Sequence, residues 1–447
     1  MNIVIMGFRK FRSNLRNDFL LSLSLSFSIL ILFNFLMILF TDAFSDIREP
    51  DQSRIHAVIS IASFILVCFL FFFIWYSTDI ALERHKKESG IYVLMGLNSE
   101  RAGRLYMAET FMMGLAVLLS GLFFGILTVQ LFQMILGAVS EIRVELVFPF
   151  AAEPPILTAV AVLSMYAVFA VRGYKNILRS SVRGMIPASR LKEQARISPK
   201  GLAYRTVLGV GSLTAGFYLS VRSTIEEIST LLLAGILVTG GIYLVFGGMI
   251  PWLLYALAGN KRFLYRKERT LWINNAACRM RKNYRTYAAA CVMMLCAVTG
   301  LTVGAAMKEW YGMRAMGPEG GRTAWIRMVC AVTIILFLLF VMAGGSAMLM
   351  KADSDALEEK ERYDLLRRMG MSPEVFDRAV ARELGIVYVC LFALTALSSI
   401  FSIRTLEKML TVDLGTLYLV NVFLIFTIFI LLYLCSVALY RKEAGNG

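Results

Sequence analysis

Histidine is almost missing from this chain: His56 and His85 are its two copies in 447 residues. They lie near opposite ends of the second long apolar run, which removes most zinc sites and histidine-based catalytic triads from consideration. No G-x-x-x-x-G-K-[ST] occurs either, so the chain has no P-loop of its own for ATP, and any ATP-driven role calls for a second polypeptide. Cysteine is sparse in a telling way. Cys68, Cys278, Cys291, Cys296, Cys330, Cys390 and Cys435 all fall in apolar runs or in segments that read as cytoplasmic, which leaves no disulfide framework outside. Cys291 and Cys296, five apart in an apolar run, read as packing residues. Charge is low overall, at 17%, and is nearly absent from the middle thirds of the long apolar runs. Proton-coupled carriers keep acids, bases or histidines near the bilayer midplane, so that class is disfavoured. A carrier with sodium sites built from carbonyls stays open.

What the chain has in abundance is apolar sequence. Its hydrophobic content is 58% and its mean hydropathy +0.67, so its surfaces face lipid. Crossing a bilayer takes about 20 residues at about 1.5 Å each. Apolar runs of that length occur near 18–41, 55–82, 105–135, 155–173, 202–221, 229–258, 284–307, 324–350, 383–402 and 416–440. The expected fold is all-α, a polytopic membrane protein with about ten transmembrane helices. Gly121 and Gly125, and again Gly300 and Gly304, make G-x-x-x-G within two of the runs, a spacing that lets helices approach closely. Pro251, just after Gly247 and Gly248, is placed to kink the sixth run.

Orientation follows from the distribution of basic residues, because cytoplasmic segments collect Lys and Arg. With the N-terminus inside, 36 of the 46 basic residues fall on the inner side, whereas the acids divide 18 inside and 13 outside. The net charge of +15 is therefore mostly topology. It implies anionic membrane lipid as a neighbour and requires no nucleic-acid partner. Before the first run, Arg9, Lys10, Arg12 and Arg16 superficially resemble a signal peptide, but the apolar stretch is too long and lacks a small-residue cleavage site. Residues 3–16 read either as an amphipathic helix on the inner surface or as a plain basic flank.

A polar interruption appears twice. "KKESGIYVLMGLNSE", residues 86–100, separates the second and third runs, and "EEKERYDLLRRMGMSPEVFDRAVARE", residues 358–383, separates the eighth and ninth. Placing Gly96 on Gly370 also places Met95 on Met369, Glu100 on Glu374 and Glu109 on Glu383. Each copy predicts an amphipathic helix ended by a glycine in a left-handed turn. A helix start follows in each, Asn98 and Ser99 before Glu100 and Ser372 and Pro373 before Glu374. Each predicted helix also has an apolar face, Ile91, Val93 and Leu94 in the first and Leu365 and Leu366 in the second. Two copies in matching positions imply duplicated halves, runs 2–4 and 8–10. The resulting division is 1–54, a first core at 55–175, an intervening segment at 176–323 and a second core at 324–447. Runs 2 and 3 exceed the hydrocarbon thickness, so the excess must tilt or protrude.

On "ALERHKKESGIYVLMGLNSERAGRLYMAE" and its echo ending at Glu383, the chain resembles the FtsX-like permeases of ABC transporters. "FRKFRSNLRNDFLLSLSLSFSILILF", "WYSTDIALERHKKESGIYVLMGL" and "INNAACRMRKNYRTYAAACVMMLCAVTG" are similar to the Bce type, the bacitracin and lantibiotic resistance permeases. That type carries a large extracellular domain between spans 7 and 8, where this chain has only Lys308 to Ala324. The resemblance implies a bacterial plasma-membrane permease, not itself an enzyme, working with two copies of a separate ABC ATPase that binds the ATP and magnesium. No cofactor is implied in this chain, and no metal. Arg84, Lys86, Lys87, Glu88, Gly96, Glu100 and Arg101 would form one ATPase-coupling element, and Lys360, Arg367, Arg368, Gly370 and Glu374 the other. Glu109 and Glu383 would brace the following spans against nearby arginines. Antimicrobial-peptide resistance or export, envelope-lipid handling, and mechanical or sensor output to a membrane histidine kinase or envelope enzyme are the functions that the resemblance leaves open.

The basic asymmetry makes a testable topology. Single cysteines replacing Asp51, Glu153, Gly317 or Asp413 should react with an impermeant maleimide on intact cells, and one replacing Gly447 only after permeabilisation. Labelling at Gly317 that needs permeabilisation contradicts the assignment.

Overall fold

The computed structural model describes residues 19–41, 51–96, 98–140, 152–179, 199–223, 227–259, 269–314 and 324–445. The segment at 3–16 and part of the connection between spans 7 and 8 lie outside them. The described residues form eleven helices and no strand: α1 (Phe19–Leu39), α2 (Asp51–Leu94), α3 (Ser99–Ser140), α4 (Glu153–Arg179), α5 (Pro199–Arg222), α6 (Ile228–Gly247), α7 (Met249–Gly259), α8 (Arg269–Arg314), α9 (Ala324–Arg368), α10 (Pro373–Leu410) and α11 (Gly415–Gly445). A bilayer has no water to satisfy backbone N–H and C=O groups, so apolar runs must satisfy them internally as helices. Every one of the ten runs is helical. Among the described residues nine helical stretches are long and apolar enough to cross a membrane, Ser229–Gly259 counted as one. The difference from ten is α5, which has the length at 24 residues but dilutes its apolar character with Arg205, Ser, Thr and Gly. The sixth run breaks at Gly248 (φ −125°, ψ −72°), between α6 and α7, three residues before Pro251.

The long helices settle whether the excess of runs 2 and 3 tilts or protrudes. At 44 residues, α2 extends about 66 Å against about 30 Å of hydrocarbon. Absorbing that by tilt would take roughly 60°, beyond the range of about 0–40° seen for membrane helices. α2 and α3 therefore continue past the apolar zone as stalks, and α9, with 45 residues, does the same.

Two compact units partition the chain: residues 1–194 with 311–339, and residues 195–310 with 340–447. In the first, α1 and α3 run parallel in a four-residue ladder. Ser26 and Ser120 share a hydroxyl hydrogen bond of 2.6 Å, and Phe33, Met37 and Val129 pack together above it. Gly121 and Gly125 are the seats of that ladder: a Cβ on Gly121 would come within 2.9 Å of Ile29, and one on Gly125 within 2.7 Å of the Phe33 ring. α4 packs on α3 by the same device, with the Tyr166 ring filling the space over Gly114 and Tyr174 that over Gly103.

In the second unit, α5 and α6 form an antiparallel hairpin in which the Ser212 hydroxyl donates to the Leu237 carbonyl at 2.8 Å. α5 then docks on α10 through stacked Phe217 and Phe401 rings with centroids 4.1 Å apart and a Ser220–Thr405 hydroxyl pair at 2.8 Å. The Tyr388 and Ser436 hydroxyls join α10 to α11 at 2.6 Å, and Asn421 donates to Thr302 of α8 at 2.9 Å. The second G-x-x-x-G behaves differently from the first. Gly304 is buried in α8, but a Cβ on Gly300 would meet nothing within 4 Å. Gly300 is therefore no close-packing seat, because the spacing alone does not bring a partner to that face.

The two glycine pairs thus predict opposite responses. Gly125→Ala must push aside the Phe33 ring and should cost about 1–3 kcal/mol. Gly300→Ala has room and removes a helix-weakening glycine, so it should be neutral or stabilise by up to about 1 kcal/mol. Thermal unfolding of the purified proteins in detergent checks the pair.

Candidate functional site

The two polar interruptions fold as the same turn. Gly96 has φ +93° and Gly370 φ +99°, and among the described residues they are the two glycines with positive φ. An L side chain is strained in that region, whereas glycine is not. At the second turn the Gly370 N–H donates to the Arg367 carbonyl at 2.9 Å and the Met371 N–H to the Leu366 carbonyl at 3.1 Å. Those bonds make a Schellman ending, with its usual apolar contact between Leu366 and Met371 in one buried cluster. The first turn repeats the inner bond, Gly96 N–H to the Val93 carbonyl at 3.1 Å; Leu97 lies outside the described residues. Both following helices start as expected. The Asn98 side-chain oxygen accepts from the Glu100 N–H at 3.3 Å, and Ser372 precedes Pro373 in extended conformation. The register extends to an ion pair in each copy, Glu100–Arg104 at 2.7 Å and Glu374–Arg378 at 3.8 Å.

Around each turn, apolar side chains point away from the protein at matching positions. Ile91 and Leu365 are 48% and 60% exposed, and Met95 and Met369 are 69% and 74% exposed. Leu366, by contrast, turns inward, because the Schellman ending packs it beneath the turn. Arg101 and Arg368 are exposed and Lys360 is half-buried. The Arg367 guanidinium lies 5.0 Å from the centre of the Phe376 ring, which commits it to the turn's own packing. The helix carries Arg84, Lys86, Lys87 and Glu88, whose side chains lie outside the described residues.

Beneath the second turn lies a cluster of charge that the sequence reading did not assemble. Arg279 of α8 is 4% exposed. Its Nε is 2.9 Å from Glu383 Oε1 and 3.7 Å from Asp355 Oδ2, and its Nη2 is 3.3 Å from Glu359 Oε2. The Tyr440 hydroxyl accepts from Arg279 at 3.0 Å and donates to Glu359 at 2.7 Å. Lys351 lies 3.5 Å from Asp355. Asn283 donates to Asp355 at 2.7 Å from a kink in α8, where its φ/ψ of −108°, 15° leaves the helical region. The cluster ties four helices together. The same end of the unit reaches the turn through Tyr363, whose ring meets Phe376 edge-on at 4.8 Å and whose hydroxyl accepts from Asn275 at 3.4 Å.

Glu383 is thus set against an arginine, Arg279, which the sequence could not name. Glu109, its counterpart in the register, is also buried, at 6% exposure. Arg279, Lys351, Asp355, Glu359 and Tyr440 escaped sequence reasoning because they come from three separate segments. The one local signal was Lys351 and Asp355, four apart at the end of an apolar run, where neither charge belongs without a partner.

Nine helical stretches among the described residues long and apolar enough to cross a membrane define a multi-pass α-helical membrane protein. Residues 59–181, comprising most of α2, all of α3 and all of α4, match the FtsX-like permease C-terminal family. The chain's relatives include the bacitracin export permease protein BceB of Bacillus subtilis (strain 168), 22% identical over 68% of this chain and 47% of the relative. BceB of Halalkalibacterium halodurans is 22% identical over 66% of this chain and 45% of its own length. The ABC transporter permease protein YxdM of Bacillus subtilis (strain 168) is 23% identical over 70% and 49%. The chain therefore spans about half the length of the curated relatives it matches.

If the Arg279 cluster holds the second unit together, its members are strongly coupled. Arg279→Met leaves buried carboxylates uncompensated and should cost about 3–5 kcal/mol. Adding Glu383→Gln to Arg279→Met should recover part of that loss, a non-additivity of about 1–3 kcal/mol. Urea unfolding of the four proteins of this cycle, in detergent, measures it; strictly additive effects mean that the pair is not energetically joined.

Proposed function

We propose that this chain is the plasma-membrane permease subunit of an ATP-driven machine, and that two copies of a separate ABC ATPase engage it at the α2–α3 and α9–α10 turns. The observation that carries this reading is the repeated exposure of Ile91 with Met95 and Leu365 with Met369, each set around a left-handed glycine. Water rejects those apolar side chains, lipid rejects the charges beside them, and a groove in a soluble partner accommodates both. ATP and magnesium belong to that partner. Movement of the ATPase pair would push on the two turns, and the stalks would carry the displacement into the spans. Arg101, Lys360, Arg368 and Glu374 would set the register of docking through charge.

The relatives named for bacitracin export direct the substrate reading toward antimicrobial-peptide resistance or export, with envelope-lipid handling as the companion reading. A second output is favoured by one feature, the short connection Lys308 to Ala324. It is too small to enclose a peptide, which suits a mechanical or sensor role toward a membrane kinase or envelope enzyme.

The test is co-purification of the chain with an ABC ATPase subunit expressed alongside it. Met95→Asp with Met369→Asp should lower recovery of the ATPase at least tenfold. Gly96→Val with Gly370→Val should do the same, because a β-branched residue at positive φ costs roughly 1–3 kcal/mol per turn. Membrane insertion should survive in both, since neither turn lies in hydrocarbon. Normal recovery and normal ATP-driven function in both double variants, or gradient-driven uptake by the chain alone in liposomes, would refute the proposal.

A further inference from the structure

The inner end of α4 carries one stripe that changes character along its length. Ala167, Val168 and Val171 come first, then Arg172, Lys175, Asn176 and Arg179, and together they line a cleft of about 740 Å³. From Val168 to Arg179 the stripe rises about 16 Å, apolar toward the membrane centre and basic toward its face. Arg172 is fixed at the junction: its guanidinium lies 4.7 Å from the centre of the Trp75 ring and 3.7 Å from Asp79 Oδ2. The Trp75 indole N–H donates to the same Asp79 oxygen at 3.2 Å, and the ring stacks on Phe169 at 6.2 Å. Tryptophan at this depth is an interfacial anchor. Lys175 and Arg179 are both exposed, and among the described residues neither has a protein partner.

We infer that this cleft is a binding site for an anionic phospholipid of the inner leaflet. An acyl chain would lie along Val168 and Val171, and the phosphate would sit between Lys175 and Arg179 with Arg172 at its deeper side. Three features favour a lipid over a soluble anion. The cations stand at the end of a membrane-crossing helix, they continue directly into an apolar wall, and a tryptophan marks the headgroup level. The charge of Arg172 is already shared with Asp79, so the two unpaired cations supply the selectivity for negative headgroups. The choice of leaflet rests on the proposed orientation, but lipid binding itself does not, nor does it depend on an ATPase partner.

The full chain in detergent micelles, examined by native mass spectrometry against phosphatidylglycerol and phosphatidylcholine at equal concentration, should retain phosphatidylglycerol preferentially. A cation near the membrane surface is worth about fivefold in affinity, so Lys175→Gln with Arg179→Gln should lower that preference roughly 25-fold. Arg222→Gln, which removes an exposed cation at the C-terminal end of α5, should leave it unchanged. Equal retention of both lipids by the parent, or an unchanged preference in the double variant, overturns the inference. Displacement of the lipid by millimolar inorganic phosphate overturns it too, in favour of a phosphate site. Because micelles have no sidedness, a wrong topology cannot produce any of these results.

Discussion

Arg279 is the constraint on which the second unit depends. A guanidinium at 4% exposure survives only if its charge is compensated, and here carboxylates of α9 and α10 surround it while Tyr440 of α11 accepts one of its hydrogen bonds. Glu383, Asp355, Glu359 and Tyr440 cannot all reach it unless the ends of those helices hold one relative placement. That requirement makes the cluster a register pin, a use for which buried ion pairs are better suited than for net stability. The kink at Asn283 belongs to the same arrangement, since it sits where α8 bends and donates to Asp355. The apolar cluster of Tyr363, Phe376, Val380 and Tyr440 continues from the pinned charges to the underside of the Gly370 turn. The underside of that turn is therefore packed, through Leu366 and Met371, on the same apolar cluster.

The two halves share their turns and differ in how they are braced. Gly96 and Gly370, the helix starts after them, and the Glu100–Arg104 and Glu374–Arg378 pairs repeat in one register. Below the turns, the first unit closes α3 against α4 by seating Tyr166 and Tyr174 on glycines, and sets Arg172 on Trp75 beside Asp79. The second unit adds a buried arginine with its carboxylates, and joins α10 to α11 through the Tyr388 and Ser436 hydroxyls and through Tyr433, which donates to the Ala381 carbonyl. Matching tips with unlike interiors suit the proposed arrangement, in which two copies of one partner would bind alike while the spans would be free to answer differently.

Much of this was legible in the sequence because the physics behind it is local. Apolar run length dictates membrane helices, since a bilayer leaves the backbone no other partner than itself. Glycine after an amphipathic stretch, followed by Asn-Ser or Ser-Pro, dictates where a helix stops and the next begins, and both left-handed exits fell on the residues named for them. Gly121 and Gly125 advertised a close approach by spacing. Gly300 and Gly304 advertised one as well, and Gly300 lacks it, because spacing describes one helix face and says nothing of what stands opposite.

What the sequence by itself determined, then, is the helical membrane class, the repeated turns and their exits, each set by the backbone preferences and hydropathy of a few neighbouring residues. Only the tertiary structure decided which carboxylates surround Arg279, that Leu366 turns inward while Leu365 stays out, and that Arg172 is pinned between Trp75 and Asp79. The contacts of Arg279 and Arg172 join residues tens to more than a hundred positions apart, and no local preference of the chain specifies a partner at that distance. Packing chooses it, and a buried charge reveals the choice because it cannot persist without one.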